Sequence, residues 1–365
     1  MSKTKQLVQV LVLAGILGGS AAAHAELIST QNITFSGSAF VTDAEGTPTT
    51  TTVNNASLGT APITAFSSST GVLTGVTVNL SGTQTQSTQT TATAGSGTGS
   101  NDNVTASGTG SSSVQISATG IPNTTTSVLT QADSCTDKIK NGCTGAATEN
   151  KQNFAVTNAA VSAGSLNSYV GGTPGISLSA PTLSASQTTA AFYGTDSTTS
   201  TVSISGTGSV VYNYLLHALG SFKGDTQVTS LNLDFGTVFQ GDIDPTLNFS
   251  VFNLANANRN GLDLDSVSGI GNTTPLTTTF SPVTALSQGT STMFSAMLDT
   301  ANLGTFNAVY TFNLSDANVG ASSTWQNSTL TLNLTGKVVA VPEPLSIALL
   351  GAGLLGIAAS RRRKG

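Results

Sequence analysis

Two histidines occur in the chain, and the one beyond residue 25, His217, sits in Tyr214-Leu215-Leu216-His217-Ala218-Leu219. Abundant serines would let a Ser-His-Asp nucleophile be imagined. No nucleophile-elbow sequence places a serine, so His217 reads as a structural or surface residue, and one histidine falls short of a zinc site built on His and Cys. Asp242-x-Asp244 and Asp263-x-Asp265 set carboxylates two residues apart, oxygen ligands of the kind a hard cation takes. Neither pair has the glycine and distal glutamate of an EF-hand loop. The first reads as a turn before Pro245, and the second as outward positions on a strand whose Leu262 and Leu264 point inward. No catalytic, cofactor-binding or metal-binding residue is therefore expected, and the chain reads as a non-enzyme.

Cys135 and Cys143 are the two cysteines, separated by Thr-Asp-Lys-Ile-Lys-Asn-Gly. In an oxidising compartment they are expected to form a disulfide closing a short loop, with Asn141-Gly142 as its turn. Flanking Asp133, Asp137, Lys138 and Lys140 predict a surface hairpin. Sugar binding would call for exposed aromatics, and Trp325 with the Tyr212/Tyr214 pair are the candidates, although core packing explains such a pair more often than a platform does.

These residues stand in an unusual background. Only 8% of the 365 residues are charged, against about 25% in an average soluble domain. Between Glu26 and Ala340 six basic residues face sixteen acidic ones, a net charge of −10. Phosphate binding needs a basic footprint, so a nucleic-acid partner is excluded. Gly, Ser, Thr and Asn supply most of the polar surface, a composition that suits strands and turns.

The two ends carry the sharpest motifs. Lys3 and Lys5 precede an apolar run, Leu7 to Gly18, and Ala23-His24-Ala25 places small residues at the two positions a signal peptidase reads. Residues 1–25 are expected to be a signal peptide cleaved between Ala25 and Glu26. At the other end, Val341-Pro342-Glu343-Pro344 leads into an apolar run, Leu345 to Ala359, followed by Arg361, Arg362, Arg363 and Lys364. The prolines fix φ and remove amide donors, keeping the segment extended and unpaired. A helix over 345–359 would rise about 22 Å at 1.5 Å per residue, short of the roughly 30 Å hydrocarbon core, with snorkelling arginines covering part of the difference. Positive charge stays cytoplasmic, which leaves the rest of the chain outside.

The three parts of residues 341–365, in this order, resemble the PEP-CTERM sorting signal of exported bacterial proteins. That resemblance implies an exosortase that processes the tail near Pro342 to Pro344, an anchored intermediate at the inner membrane, and a destination at the cell surface or in an exopolysaccharide matrix.

Between the ends, period-two alternation predicts an all-β protein of two β-sandwich, immunoglobulin-like modules. In the first, residues 26–220, Val76, Val78 and Leu80 share a face, as do Val202 with Ile204 and Val210 with Tyr212 and Tyr214. Residues 81–113 are rich in Ser, Thr and Gly and hold little that fills an apolar core. They read either as a flexible insertion or as threonine-rich strand. Ala65-Phe66, the run Gly71 to Val76, Phe192-Tyr193-Gly194 and Gly206 to Tyr214 resemble the choice-of-anchor E domain. In the second module, residues 221–340, clean alternation runs through Leu231-Phe235, Leu247-Val251, Phe306-Leu314 and Leu330-Val338. Leu233 to Val238, Gly241, a strand end at Asn253 and Leu330 to Gly336 are similar to the choice-of-anchor D, or ASH-like, modules.

The whole reads as an exported, exosortase-processed structural or interaction protein of the bacterial surface or its matrix, the alternative being a carbohydrate-binding module. Expected partners are signal peptidase, exosortase, the membrane through the C-terminal helix, and extracellular polysaccharide or other surface proteins.

Overall fold

Alternation lets a strand bury one face and wet the other, and in the computed structural model it becomes an all-β architecture. Residues 26–44, 50–96, 99, 101–188, 194–256, 258–342 and 349–355 are described. They divide into two units. The first runs to His217 and also takes in Asn318–Trp325, while the second comprises Ala218–Ala317 and the chain from Gln326. The first unit is thus completed by an excursion that a linear division at residue 220 does not contain. Inside it, Ala321 N donates to Leu73 O (2.8 Å), Leu73 N donates to Thr324 Oγ1 (3.2 Å), and Ser323 N donates to Asn167 Oδ1 (3.0 Å).

The strands of the first unit are β1 (Leu27–Ala44), β2 (Thr50–Pro62), β3 (Val72–Ala92), β4 (Asn103–Ser112), β5 (Gln115–Ala118), β6 (Thr124–Thr125), β7 (Leu129–Lys138), β8 (Cys143–Thr144), β9 (Thr148–Ala160), β10 (Gly175–Thr188) and β11 (Asp196–Leu215). One sheet has the order β1-β11-β3-β8 with β9 also beside β3; the other has the order β6-β5-β10-β4-β7 with β2 also beside β10. Residues 81–113, left open between insertion and strand, lie mainly in β3 and β4. They are part of both sheets and not an insertion beside them.

Their interior is the unexpected part. Along β3 the buried positions begin as Val72, Val76, Val78 and Leu80 and continue as Gln84, Gln86, Thr88 and Thr90. Antiparallel β11 follows the same change in reverse, from Val210, Ile204 and Val202 to Ser200 and Thr198. Amides and hydroxyls replace hydrocarbon in this half, and most of them bond one another, the condition for burying polar groups, while Thr88 Oγ1 is buried without a partner. Gln84 Nε2 donates to Ser112 Oγ (3.2 Å) and Ser112 O (3.1 Å), Ser112 Oγ donates to Gln86 Oε1 (2.5 Å), and Gln86 Nε2 donates to Ser200 Oγ (2.9 Å). Gln84 Oε1 in turn accepts from Thr126 Oγ1 and Gln152 Nε2. Thr90 N donates to buried Asp133 Oδ2 at 2.7 Å.

Two glycines on the facing strand β4 allow this approach. A Cβ on Gly108 would run into the Thr198 side chain, and one on Gly110 would meet Thr88 Oγ1, Ser200 Oγ and Gln86 Nε2 at 2.5–2.8 Å. Beyond the polar stretch a small apolar cluster of Ala92, Ala106 and Cys135 closes the end. Cys135 and Cys143 are bonded there, with Cα atoms 5.7 Å apart. Cys135 lies on β7 opposite Ala106 of β4, and Cys143 on β8 opposite Ala92 of β3. The bond therefore joins the two sheets. The expected surface hairpin is corrected to an inter-sheet staple with Cys135 and Ile139 buried, because the Lys138–Gly142 turn carries the chain from one sheet to the other. Closing a loop of about nine residues contributes about 2 to 3 kcal/mol on the chain-entropy estimate.

The second unit holds β12 (Gly220–Ser221), β13 (Ser230–Phe239), β14 (Thr246–Asn253), β15 (Leu262–Gly271), β16 (Leu276–Thr278), β17 (Val283–Leu286), β18 (Ser291–Leu298), β19 (Gly304–Asp316) and β20 (Asn327–Val339). Sheets of order β12-β14-β18-β16 and β13-β20-β19-β15-β17 enclose an apolar core. Phe222, Phe249, Phe280, Phe294 and Phe312 stack at its centre with centroids 5.1–6.1 Å apart. Buried Asp316 ties two backbone entries to this unit, accepting from Ala218 N (2.7 Å) and Gln326 N (2.8 Å).

The close approach at β4 yields a direct test. Trp325, the single tryptophan, belongs to the first unit, so its fluorescence reports that unit's unfolding. Gly110→Val should lower the unfolding free energy by about 1–3 kcal/mol through overpacking. A neutral or stabilising valine would show that the sheets do not meet there.

Candidate functional site

Strand β20 lies between β13 and β19. Its last residue, Val339, pairs in parallel with Phe239, and its carbonyl accepts from Gln240 N at 2.8 Å. Regular structure stops there for a local reason: Pro342 has no amide to donate and disfavours helical backbone before it. Ala340, Val341 and Pro342 are exposed, and Val341 is 59% accessible. One residue therefore separates a paired strand from the Val341-Pro342 start of the motif. Residues 349–355 are helical, with Leu349, Leu350, Leu354 and Leu355 exposed, an apolar surface without a protein partner of the kind that lipid covers. Among the described residues no helix is long and apolar enough to cross a membrane. Glu343, Pro344, Arg361, Arg362, Arg363, Ala23 and Ala25 lie outside the described residues, and Glu26 is the first residue within them, exposed beside β1.

Residues 340–364 match the PEP-CTERM protein-sorting motif. The chain is accordingly an exported, exosortase-processed protein that passes through a membrane-anchored precursor to the cell surface. No curated protein matches the sequence. Among solved structures, an ASH/PapD-like domain of human CEP192 aligns at 8% identity over 34% of this chain and 88% of its own, with a TM-score of 0.26. The Vibrio cholerae VesB protease aligns at 12% identity over 29% of this chain and 30% of its own, TM-score 0.21. An infectious bursal disease virus Gx strain structure aligns at 12% identity over 51% and 40%, TM-score 0.12. Scores this low carry no conclusion about what the chain does.

The residues with chemical potential are occupied by the fold. His217 Nε2 lies 2.8 Å from Ser68 O. Asp242 Oδ2 accepts from Phe239 N (3.1 Å), and Asp244 Oδ1 accepts from Thr300 N (2.9 Å) and Oγ1 (3.0 Å), so both hold the turn before Pro245. Asp265 Oδ1 accepts from Ser315 Oγ at 3.1 Å. Asp263 departs from its expected outward position: it is 8% exposed and accepts from Ala285 N at 2.6 Å. It stays on the face opposite Leu262 and Leu264 but is covered there by β17, whose extra residue between Val283 and Leu286 brings Ala285 N to the carboxylate. Among the described residues no group of three or more His, Cys, Asp or Glu could hold a metal ion.

The aromatic platform is also absent from these positions. Tyr212 is 4% exposed, and its hydroxyl donates to Thr64 O at 2.7 Å. Burial, reinforced by neighbouring Tyr169, pushes that phenol up to about 12. Tyr214 packs on Phe66 with centroids 5.3 Å apart, and the half-buried Trp325 donates Nε1–H to Val319 O at 2.7 Å. Sequence reasoning missed the load on Asp316 and on the buried Gln84/Gln86 relay, since a lone Asp or Gln in a strand pattern carries no mark of its partners.

Asp263 supplies a pH test. Burial raises its carboxyl above the ordinary value of 3.8, as do the charges of Asp265 and Asp316, against the lowering effect of Ala285 N–H. A raised value means that ionisation opposes folding, so this contribution is most favourable in acid and is lost as pH rises through the folded value. Asp263→Asn, which keeps the Oδ1 acceptor, should equal or exceed the wild type in urea unfolding at pH 7 and lose that advantage near pH 3. A variant weaker at pH 7 than at pH 3 would show that the carboxylate itself is needed.

Proposed function

We propose that this protein is a non-enzymatic structural or interaction component of the bacterial surface or its exopolysaccharide matrix, delivered by signal peptidase and released from its anchor by exosortase. The observation that carries the reading is the one-residue junction between a paired β-strand and an exposed Pro-containing motif, in a chain whose His217, Asp242 and Asp244 bond turns and strands. Its two modules present hydroxyl-rich, sparsely charged faces that suit a hydrated matrix. The resemblance of the modules to choice-of-anchor domains fits the same role.

A carbohydrate-binding role is the second reading, favoured by rows of hydroxyls crossing the sheets. Thr52, Ser184, Ser111 and Thr130 stand in register across β2, β10, β4 and β7, with Ser111 and Ser184 hydroxyls 2.7 Å apart. Contact with polysaccharide by this route is polar and weak, without the stacking an aromatic platform provides.

The sorting part is tested in the producing cell. Replacing Pro342 and Pro344 by Ala restores amide donors and helix-compatible backbone, so the full-length chain should accumulate in the membrane fraction with its tail uncut. Tail removal at the wild-type rate in the double variant would count against recognition of an extended proline segment.

A further inference from the structure

The exposed apolar residues of the second unit include a group at the end from which the chain leaves for its tail. Phe239 is 42% exposed, Ile243 95%, Leu303 52% and Val341 59%. Topology brings them to one edge. Phe239 is paired with Val339, two residues before Val341, and Gly304, next to Leu303, is paired with Val338 on the other side. Ile243 is carried by the adjoining turn, where Gly241 N donates to Thr300 O (3.2 Å) and Gln240 Nε2 donates to Ala301 O (2.8 Å).

The acidic residues of this edge are tied to its backbone by hydrogen bonds. The Asp242 and Asp244 carboxylates are bonded to Phe239 N and to Thr300, as described, and Asp299 Oδ1 accepts from Ala301 N at 2.8 Å. Exposed Asp242 and Asp244 flank Ile243 with their carboxyl groups tied to Phe239 and Thr300, so the isoleucine projects between two fixed polar neighbours. An isolated exposed apolar residue needs no explanation, but several around the exit of an anchoring tail share one nearby apolar solvent.

Tether length says what that solvent is. From Val339 to Leu345 an extended chain spans at most about 20–22 Å at 3.3–3.6 Å per residue. The headgroup layer takes up roughly 5–8 Å of that distance. While the tail is in the membrane, this edge of the second unit is therefore held close to the lipid surface.

We infer that Phe239, Ile243, Leu303 and Val341 form a lipid-contacting rim, which seats the anchored precursor on the membrane and presents the Pro-containing motif at headgroup depth. The inference rests on the tail being inserted in the membrane. The rim is small, so it adds to the tail and does not replace it, and removal of the tail leaves the protein free to depart. Because the edge carries exposed carboxylates and little positive charge, its contact is with the apolar and zwitterionic part of the lipid surface and gains nothing from anionic headgroups.

The full chain reconstituted in phosphatidylcholine vesicles tests this, with single environment-sensitive fluorophores attached in the variants Ile243→Cys, Asp225→Cys and Leu354→Cys. Asp225 precedes β13, about 30 Å from its Phe239 end by strand length, and serves as the distant control. The label at 354 should be quenched by an acyl-chain quencher, the label at 243 should be blue-shifted and quenched from the headgroup level, and the label at 225 should remain as in water. A quenched 354 label with a 243 label as wet as that at 225 overturns the rim alone. An unquenched 354 label overturns tail insertion and the rim with it. A blue shift at 243 that persists in detergent without lipid, or that needs co-reconstituted exosortase, assigns the edge to a second copy or to the enzyme and likewise overturns lipid contact.

Discussion

The first unit depends on a chain of buried amides and hydroxyls that links its two sheets. Gln84, Ser112, Gln86 and Ser200 pass hydrogen bonds from β3 to β4, back to β3 and on to its neighbour β11. Each donor buried without a partner would cost about 1–3 kcal/mol, so the relay stabilises the unit only when the two sheets stand at the right separation. Gly108 and Gly110 set that separation, and the Cys135–Cys143 bond fixes the sheets beyond it. Hydrophobic burial alone would give this half of the sandwich almost no driving force, because its inner positions carry Gln, Thr, Ser and Gly. The second unit takes the opposite solution, with stacked phenylalanines and inward leucines at its centre.

Both solutions lead to a surface with few charges, and the tail explains how such a chain is managed. It is exported, tethered and processed, and the tether leaves the fold with a single residue between Val339 and the motif. A short spacer restricts where the domain can stand while it is anchored. Asp242, Asp244 and Thr300 shape the turn at this edge, so residues that suggested a cation site in the sequence serve the architecture of the exit.

Much of the second unit was legible in alternation, since Leu231-Phe235, Leu247-Val251, Phe306-Leu314 and Leu330-Val338 all became strands with their apolar faces toward the core. The sorting motif was legible because its parts are contiguous and each has a local physical cause. The character of residues 81–113 was not, because a Gln or Thr at an inward position looks identical to one facing water until its partner on another strand is known. Asp263 failed for a related reason: alternation gave its face correctly, but not that the irregular strand β17 would cover that face and bond its carboxylate. The excursion Asn318–Trp325 was hidden because contacts to Leu73 and Asn167, far away in sequence, define it.

Hydroxyl and amide contacts order the polar half of the first unit as firmly as hydrocarbon orders the other half. Amide hydrogen exchange of the intact protein, resolved along β3, measures this directly. Gln84 to Thr90 should exchange as slowly as Val76 to Leu80, with the matching half of β4 protected alongside them. Exchange of Gln84 to Thr90 at the rate of an open loop, while Val76 to Leu80 stays protected, would contradict it.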